Sequence, residues 1–98
     1  MFDITVKKVE SKSGQLMQFD VVGNALAGKH TVTVDHAYFV QLTGVGGSIS
    51  EEQFMKAIFM FLLDREPPSA IMTAFDISII SRYFPEFDQK ISDYFKRV

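Results

Sequence analysis

Thr31-Val32-Thr33-Val34-Asp35-His36-Ala37-Tyr38-Phe39-Val40-Gln41-Leu42-Thr43-Gly44 is the stretch on which the fold turns. Val32 and Val34 alternate with Thr31, Thr33 and Asp35, the period-2 pattern of a strand with one buried face. At Asp35 the alternation stops. Its carboxylate suits an N-cap, because it accepts from backbone N–H groups that have no partner in the first helical turn. Gly44 suits the position just past a helix end, where left-handed backbone is favoured. The stretch therefore predicts a strand followed by a helix over residues 36–43, although Tyr38-Phe39-Val40 would suit a strand equally well.

Upstream, the pattern stays strand-like. Phe2, Ile4 and Val6 alternate with Asp3, Thr5 and Lys7, and Val9 falls out of that register, so the strand is expected to bulge or end there. Ser11-Lys12-Ser13-Gly14 has turn chemistry. Met17, Phe19 and Val21 alternate with Gln18, Asp20 and Val22, and Gly23 to Lys29 reads as a loop. A three-stranded antiparallel β-meander over residues 1–35 follows.

Downstream, the pattern turns helical. Val45-Gly46-Gly47-Ser48 is a connector, and Ser50-Glu51-Glu52-Gln53 is a capping box ahead of a helix running to about Asp64. Phe54, Ala57, Ile58, Phe61 and Leu62 form its inward stripe, yet Met55, Phe59, Met60 and Leu63 are apolar as well. A helix that is apolar all round is covered on most sides. Glu66-Pro67-Pro68 stops it, since a residue before proline is pushed out of the α region. A short helix over 69–75 is expected next, then one from Asp76 as cap to about Tyr83. Pro85 opens a last helix in which Phe87, Ile91, Tyr94 and Phe95 share one face, with Glu86 and Asp88 early and Lys96 and Arg97 late, as the helix dipole favours. Strands followed by helices predict an α+β domain: the meander, then three to five short helices over 36–98 packed on one face of the sheet. The 98 residues form a single domain in this reading, since neither half alone buries enough surface to fold.

Composition narrows the function. The net charge of −2 argues against general attraction to nucleic acid or anionic lipid. With no cysteine there is no disulfide framework, zinc ribbon or thiol nucleophile. The longest apolar run, Ala57 to Leu63, is seven residues, against the roughly twenty a bilayer demands. The first residues carry neither a basic nor a continuous apolar signal region, so a cytoplasmic location is expected.

Several constellations invite chemistry. Residues 74–82 resemble the turn and recognition helix of a helix-turn-helix, with Ser78, Ser81 and Arg82 as its readers. The spacing to the Ser-Arg pair is two residues short, however, and Ile79 and Ile80 stand where base-reading polar groups are wanted. Residues 50–98 also hold six basic against eight acidic side chains, a poor match to phosphate. His30 and His36 flank Asp35, but no third histidine or metal-ligand spacing accompanies them; both are expected at the surface, and no metal or cofactor is predicted. The glycines at 44–47 meet neither phosphate-loop pattern, and Glu51 and Glu52 would repel an anion there. Asp64, Arg65 and Glu66 form a compact charge cluster, read as structural, with Arg82 as a partner for Asp64 or Glu66. No nucleophile–base pair is visible, so no catalytic residue is predicted.

The anomaly is phenylalanine: ten in the chain, seven of them at or after Phe54, beside five methionines. That is more apolar surface than one small core easily covers, and such surface marks association sites. Phe59, Met60 and Leu63 are the expected exposed anchors. The function predicted is a non-enzymatic protein–protein interaction module, through a protein partner or self-association as a homodimer. The alternatives are a helix-turn-helix-like nucleic-acid-binding regulator, or a small-molecule-binding domain with a Phe/Met-lined pocket between sheet and helices.

Phe61-Leu62-Leu63-Asp64-Arg65-Glu66-Pro67 and Ile80-Ser81-Arg82-Tyr83-Phe84-Pro85-Glu86-Phe87 resemble segments of small bacterial proteins of uncharacterised function. The resemblance covers the C-terminal half and implies no activity and no catalytic residues.

Overall fold

A computed structural model describes residues 3–9, 14–44 and 49–97. In chain order the elements are β1 (Ile4–Val9), β2 (Leu16–Gly23), β3 (His30–Asp35), α1 (His36–Thr43), α2 (Glu51–Leu63), a 3-10 turn (Pro68–Ala70), β4 (Ala74–Asp76), α3 (Ser78–Tyr83) and α4 (Phe87–Phe95). This is an α+β fold, strands first and helices after. The predicted turn at 11–13 and the connector at 45–48 lie outside the described residues.

The strand readings hold in detail. β1, β2 and β3 pair antiparallel in sequence order. Met17, Phe19 and Val21 bury their side chains on the same face as Val32 and Val34, because opposed residues share a face: Phe19 faces Val32, and Met17 faces Val34. Their neighbours Gln18, Asp20, Thr31 and Thr33 form a polar outer face, where the Thr31 hydroxyl donates to Asp20 (3.1 Å). β1 does not bulge: its pairing runs unbroken to Val9, opposite Gln18. At Gly23 only glycine fits, since a Cβ there would lie 2.1 Å from the Asp3 carbonyl oxygen.

The sheet has four strands, not three. β4 lies parallel to β3 and closes the order β1-β2-β3-β4. The helix expected over 69–75 is instead the 3-10 turn followed by β4. Pro68 sits at the start of the short turn, which ends at Ala70. Beyond it the chain reaches the free edge of β3, whose peptide groups require partners. The Thr31 N–H donates to the Thr73 carbonyl (2.7 Å) and the Ile77 N–H to the Thr33 carbonyl (3.0 Å). Phe75 then faces Val32 on the buried side. Tertiary pairing overrides local propensity here.

The chain turns helical at His36. The Asp35 carboxylate accepts from the Ala37 N–H (2.8 Å), and Gly44, at φ 85°, closes the end by donating to the Val40 carbonyl. Ser50 and Gln53 form both arms of the capping box at α2, at 3.1 and 3.0 Å. α2 is the central helix, which explains its all-round apolarity. Phe54, Met55, Ala57, Ile58, Phe59, Phe61 and Leu62 are all buried, between the sheet on one side and α4 on the other. From α4, Phe87 and Tyr94 meet the Phe61 ring edge-on at 5.0 and 5.6 Å, and Ile91 is buried beside them. Ile77, not Asp76, stands at the N-cap of α3, and the Asp76 carboxylate accepts from the Ser78 N–H at 2.9 Å from one residue further back. Among the described residues no helix is long and apolar enough to cross a membrane.

Candidate functional site: an apolar cleft beside the fourth strand

The apolar excess goes mostly inward. Phe59, expected as an exposed anchor, is 0% exposed. It packs between the His30 ring (5.5 Å) and the Phe75 ring (6.2 Å), in space that β4 creates by joining the sheet. Met60 and Leu63 are half-buried and packed against the core.

His30 is also inside, at 2% exposure, and not at the surface. It stands opposite Val21 on the inward face of β3, and its Nδ1 lies 2.7 Å from the Met72 carbonyl oxygen. A carbonyl only accepts, so Nδ1 carries the proton and donates. Among the described residues Nε2 has no hydrogen-bond partner. The imidazole thus ties the start of β3 to the segment entering β4. His36 is exposed at the start of α1, with its ring 6.2 Å from that of Phe39.

The charge cluster divides in two. Arg65 donates through Nε to Glu86 (3.1 Å) and through Nη1 to the Tyr94 hydroxyl and the Phe61 carbonyl, both at 3.2 Å. Its guanidinium lies over the Phe61 ring, 3.6 Å from the centroid. The Tyr94 hydroxyl donates to Asp64 (2.6 Å), and Arg97 stands 3.6 Å from the same carboxylate. This network clamps the end of α2 to α4. Burial works against the charged guanidinium, but the bonds to Tyr94 and Glu86 outweigh it and raise the Arg65 pKa. Glu86 is held below its ordinary value by its backbone hydrogen bond first and by Arg65 second. Arg82 takes no part: it is exposed, and among the described residues it has no ion-pair partner. The place expected of Arg82 beside Asp64 is taken by Arg97, just past the end of α4.

A second polar group lies where β3 and β4 end side by side. Tyr38 of α1 donates to Asp88 of α4, and burial, followed by this bond, pushes its phenol far above the ordinary range. Ser81 bonds back to the Ser78 carbonyl at 2.9 Å. α3 is only six residues long, and its Ile79 and Ile80 line the cleft described next. Among the described residues no three His, Asp or Glu side chains converge as a metal site would require.

Glu66 turns away from the clamp towards an open cleft of about 210 Å³. The end of α2 supplies Leu62 and Glu66, the segment before β4 supplies Ala70, Ile71 and Met72, β4 supplies Phe75, and α3 with the residue after it supplies Ile79, Ile80, Tyr83 and Phe84. Two of the rim residues, Met72 at 42% and Tyr83 at 66%, are exposed; among the described large apolar residues only Leu16 and Val22, both on β2, are comparably so. Glu66 is the only charged residue lining the cleft, and no ion pair neutralises it among the described residues. Sequence reasoning missed this cleft because its lining comes from separate segments of the chain, one of them the unforeseen β4. The available signal was Met72 and Tyr83, apolar residues outside every helical stripe.

No family model, curated protein or solved structure matches the chain.

Proposed function

We propose that this is a small non-enzymatic interaction module of the cytoplasm, which takes an apolar side chain of a protein partner into the cleft beside β4. The observation that carries this reading is the pair Met72 and Tyr83, two of the four exposed large apolar residues among the described ones and the two that share the rim of one apolar cleft. Exposed apolar surface rimmed by polar groups is the usual mark of an association site. At about 210 Å³ the cleft is smaller than the roughly 300–1,000 Å³ typical of small-molecule pockets, which favours a single side chain over a whole metabolite. The acidic Glu66 within it is unsuited to phosphate, which weighs against the nucleic-acid alternative.

Light scattering across a concentration range tests the homodimer form of this reading. A dimer that dissociates on Ile79→Glu places the second copy in the cleft. A monomer that captures peptides from a random library, and loses them on Ile79→Glu, places another protein there. A chain that remains monomeric and captures no peptide overturns the proposal.

A further inference from the structure

We infer that the open edge of β4 is a strand-addition site, pairing with an extended segment of the partner that carries one large apolar residue and a nearby lysine or arginine. The inference rests on the cleft reading and specifies how the cleft is filled. In the parallel β3–β4 pair, bonding runs through the Thr73 carbonyl and the Ile77 N–H, with Val32 and Phe75 in register between them. Parallel ladders bond through alternate residues. The peptide groups of Ala74 and Asp76 therefore point away from β3, to the outer edge, and both residues are exposed. That edge offers two N–H donors and two carbonyl acceptors, and among the described residues no strand lies beyond them.

Side chains of an added strand alternate between the two faces of the sheet, so every second one would fall on the helix side, next to Phe75. The cleft opens there, lined by Met72, Phe75, Ile79 and Tyr83. Its one charge, the Glu66 carboxylate, calls for a cation, and no basic residue lines the cleft to supply one. Backbone, apolar and ionic complementarity thus converge on one occupant: an extended basic–apolar peptide segment. The opposite edge offers no such site, because β1 carries Lys7 and Lys8, and charged side chains discourage pairing.

A phage-displayed library of random octapeptides, selected against the intact chain, tests this. Enriched peptides are expected to alternate in polarity around one large apolar residue, with Lys or Arg close by. N-methylation of an edge-facing peptide amide should weaken binding about three- to tenfold, the worth of one backbone hydrogen bond. The same peptide methylated one residue along should lose much less. Glu66→Gln should abolish the preference for Lys or Arg, and the amide resonances of Ala74 and Asp76 should shift on binding. Peptides that depend on Tyr83 but tolerate methylation at every amide overturn strand addition and leave the cleft reading standing. Failure to enrich any peptide over an Ile79→Glu control overturns both.

Discussion

The two edges of the sheet are built differently. β1 is six residues long, pairs with β2 along its whole length, and carries adjacent lysines. Lys7 lies opposite Asp20 on the outer face, while Lys8 lies opposite Phe19 on the helix side and reaches Glu51 at 3.2 Å. A charge turned inward on an edge strand is a familiar guard against further pairing. β4 is three residues long, pairs with β3 through residues more than forty positions apart in the chain, and has an apolar cleft at its side. One edge is closed chemically, the other is left open. The open edge is held mainly from behind, by Phe75 against Phe59 and by the His30–Met72 hydrogen bond.

The strongest test removes that backing. Phe59→Ala should cost about 3–5 kcal/mol in chemical denaturation, the range for a fully buried aromatic residue. Hydrogen exchange should show Phe75 and Ile77 amides losing protection before those of β1 and β2. If the β1–β2 amides open first, the contrast between a firm and a loosely held edge is wrong. Gly23→Ala probes the other side, since its new Cβ would collide with the Asp3 carbonyl where β1 begins. A loss of about 1–3 kcal/mol is expected, with exchange confined to β1 and β2.

A smaller effect follows from the clamp behind the cleft wall. Because Glu86 is held below its ordinary value in the folded chain, its contribution to stability is complete above the ordinary carboxylate range. It is lost as pH falls through the depressed value. Stability measured by urea denaturation should therefore decline with acid, and Glu86→Gln should flatten part of that decline. If the variant follows the parent curve, the Arg65–Glu86 bond does not hold the wall. The smallest effect is Lys8→Ala. Its exposed ion pair with Glu51 is worth at most about 1 kcal/mol, so the melting curve should barely move. Light scattering should nevertheless detect self-association through the unguarded β1 edge.

Much of the fold was legible because its signals are local. The alternation of Met17, Phe19 and Val21, the caps at Asp35 and Ser50, and the single apolar face of α4 each lie within one short window of sequence. β4 was not legible. Its three residues are too few to show a period, and what makes them a strand is the unpaired edge of β3, far away in the chain. Three further misreadings share that distant cause or one like it. Phe59 is covered by Phe75, and His30 by the segment leading into β4. Arg97, not Arg82, answers Asp64, because α4 returns along α2. The cleft was hidden for the same reason, since most of its walls meet only after β4 has docked.

The separation between β3 and β4 also sets an order of assembly on the ribosome. β1, β2 and β3 pair between near neighbours in sequence, so their contacts can begin to form while the C-terminal half, which completes the core, is still being synthesised. Thr73, Phe75 and Ile77 emerge late, and until they arrive the bonding groups of Thr31 and Thr33 have no strand beside them. During that interval β3 is a bare outer strand in whatever pairing the nascent chain has made. Such transiently exposed strand edges are where growing chains aggregate. The last strand of the sheet therefore has a second task before any partner arrives, to cap β3 as soon as synthesis allows.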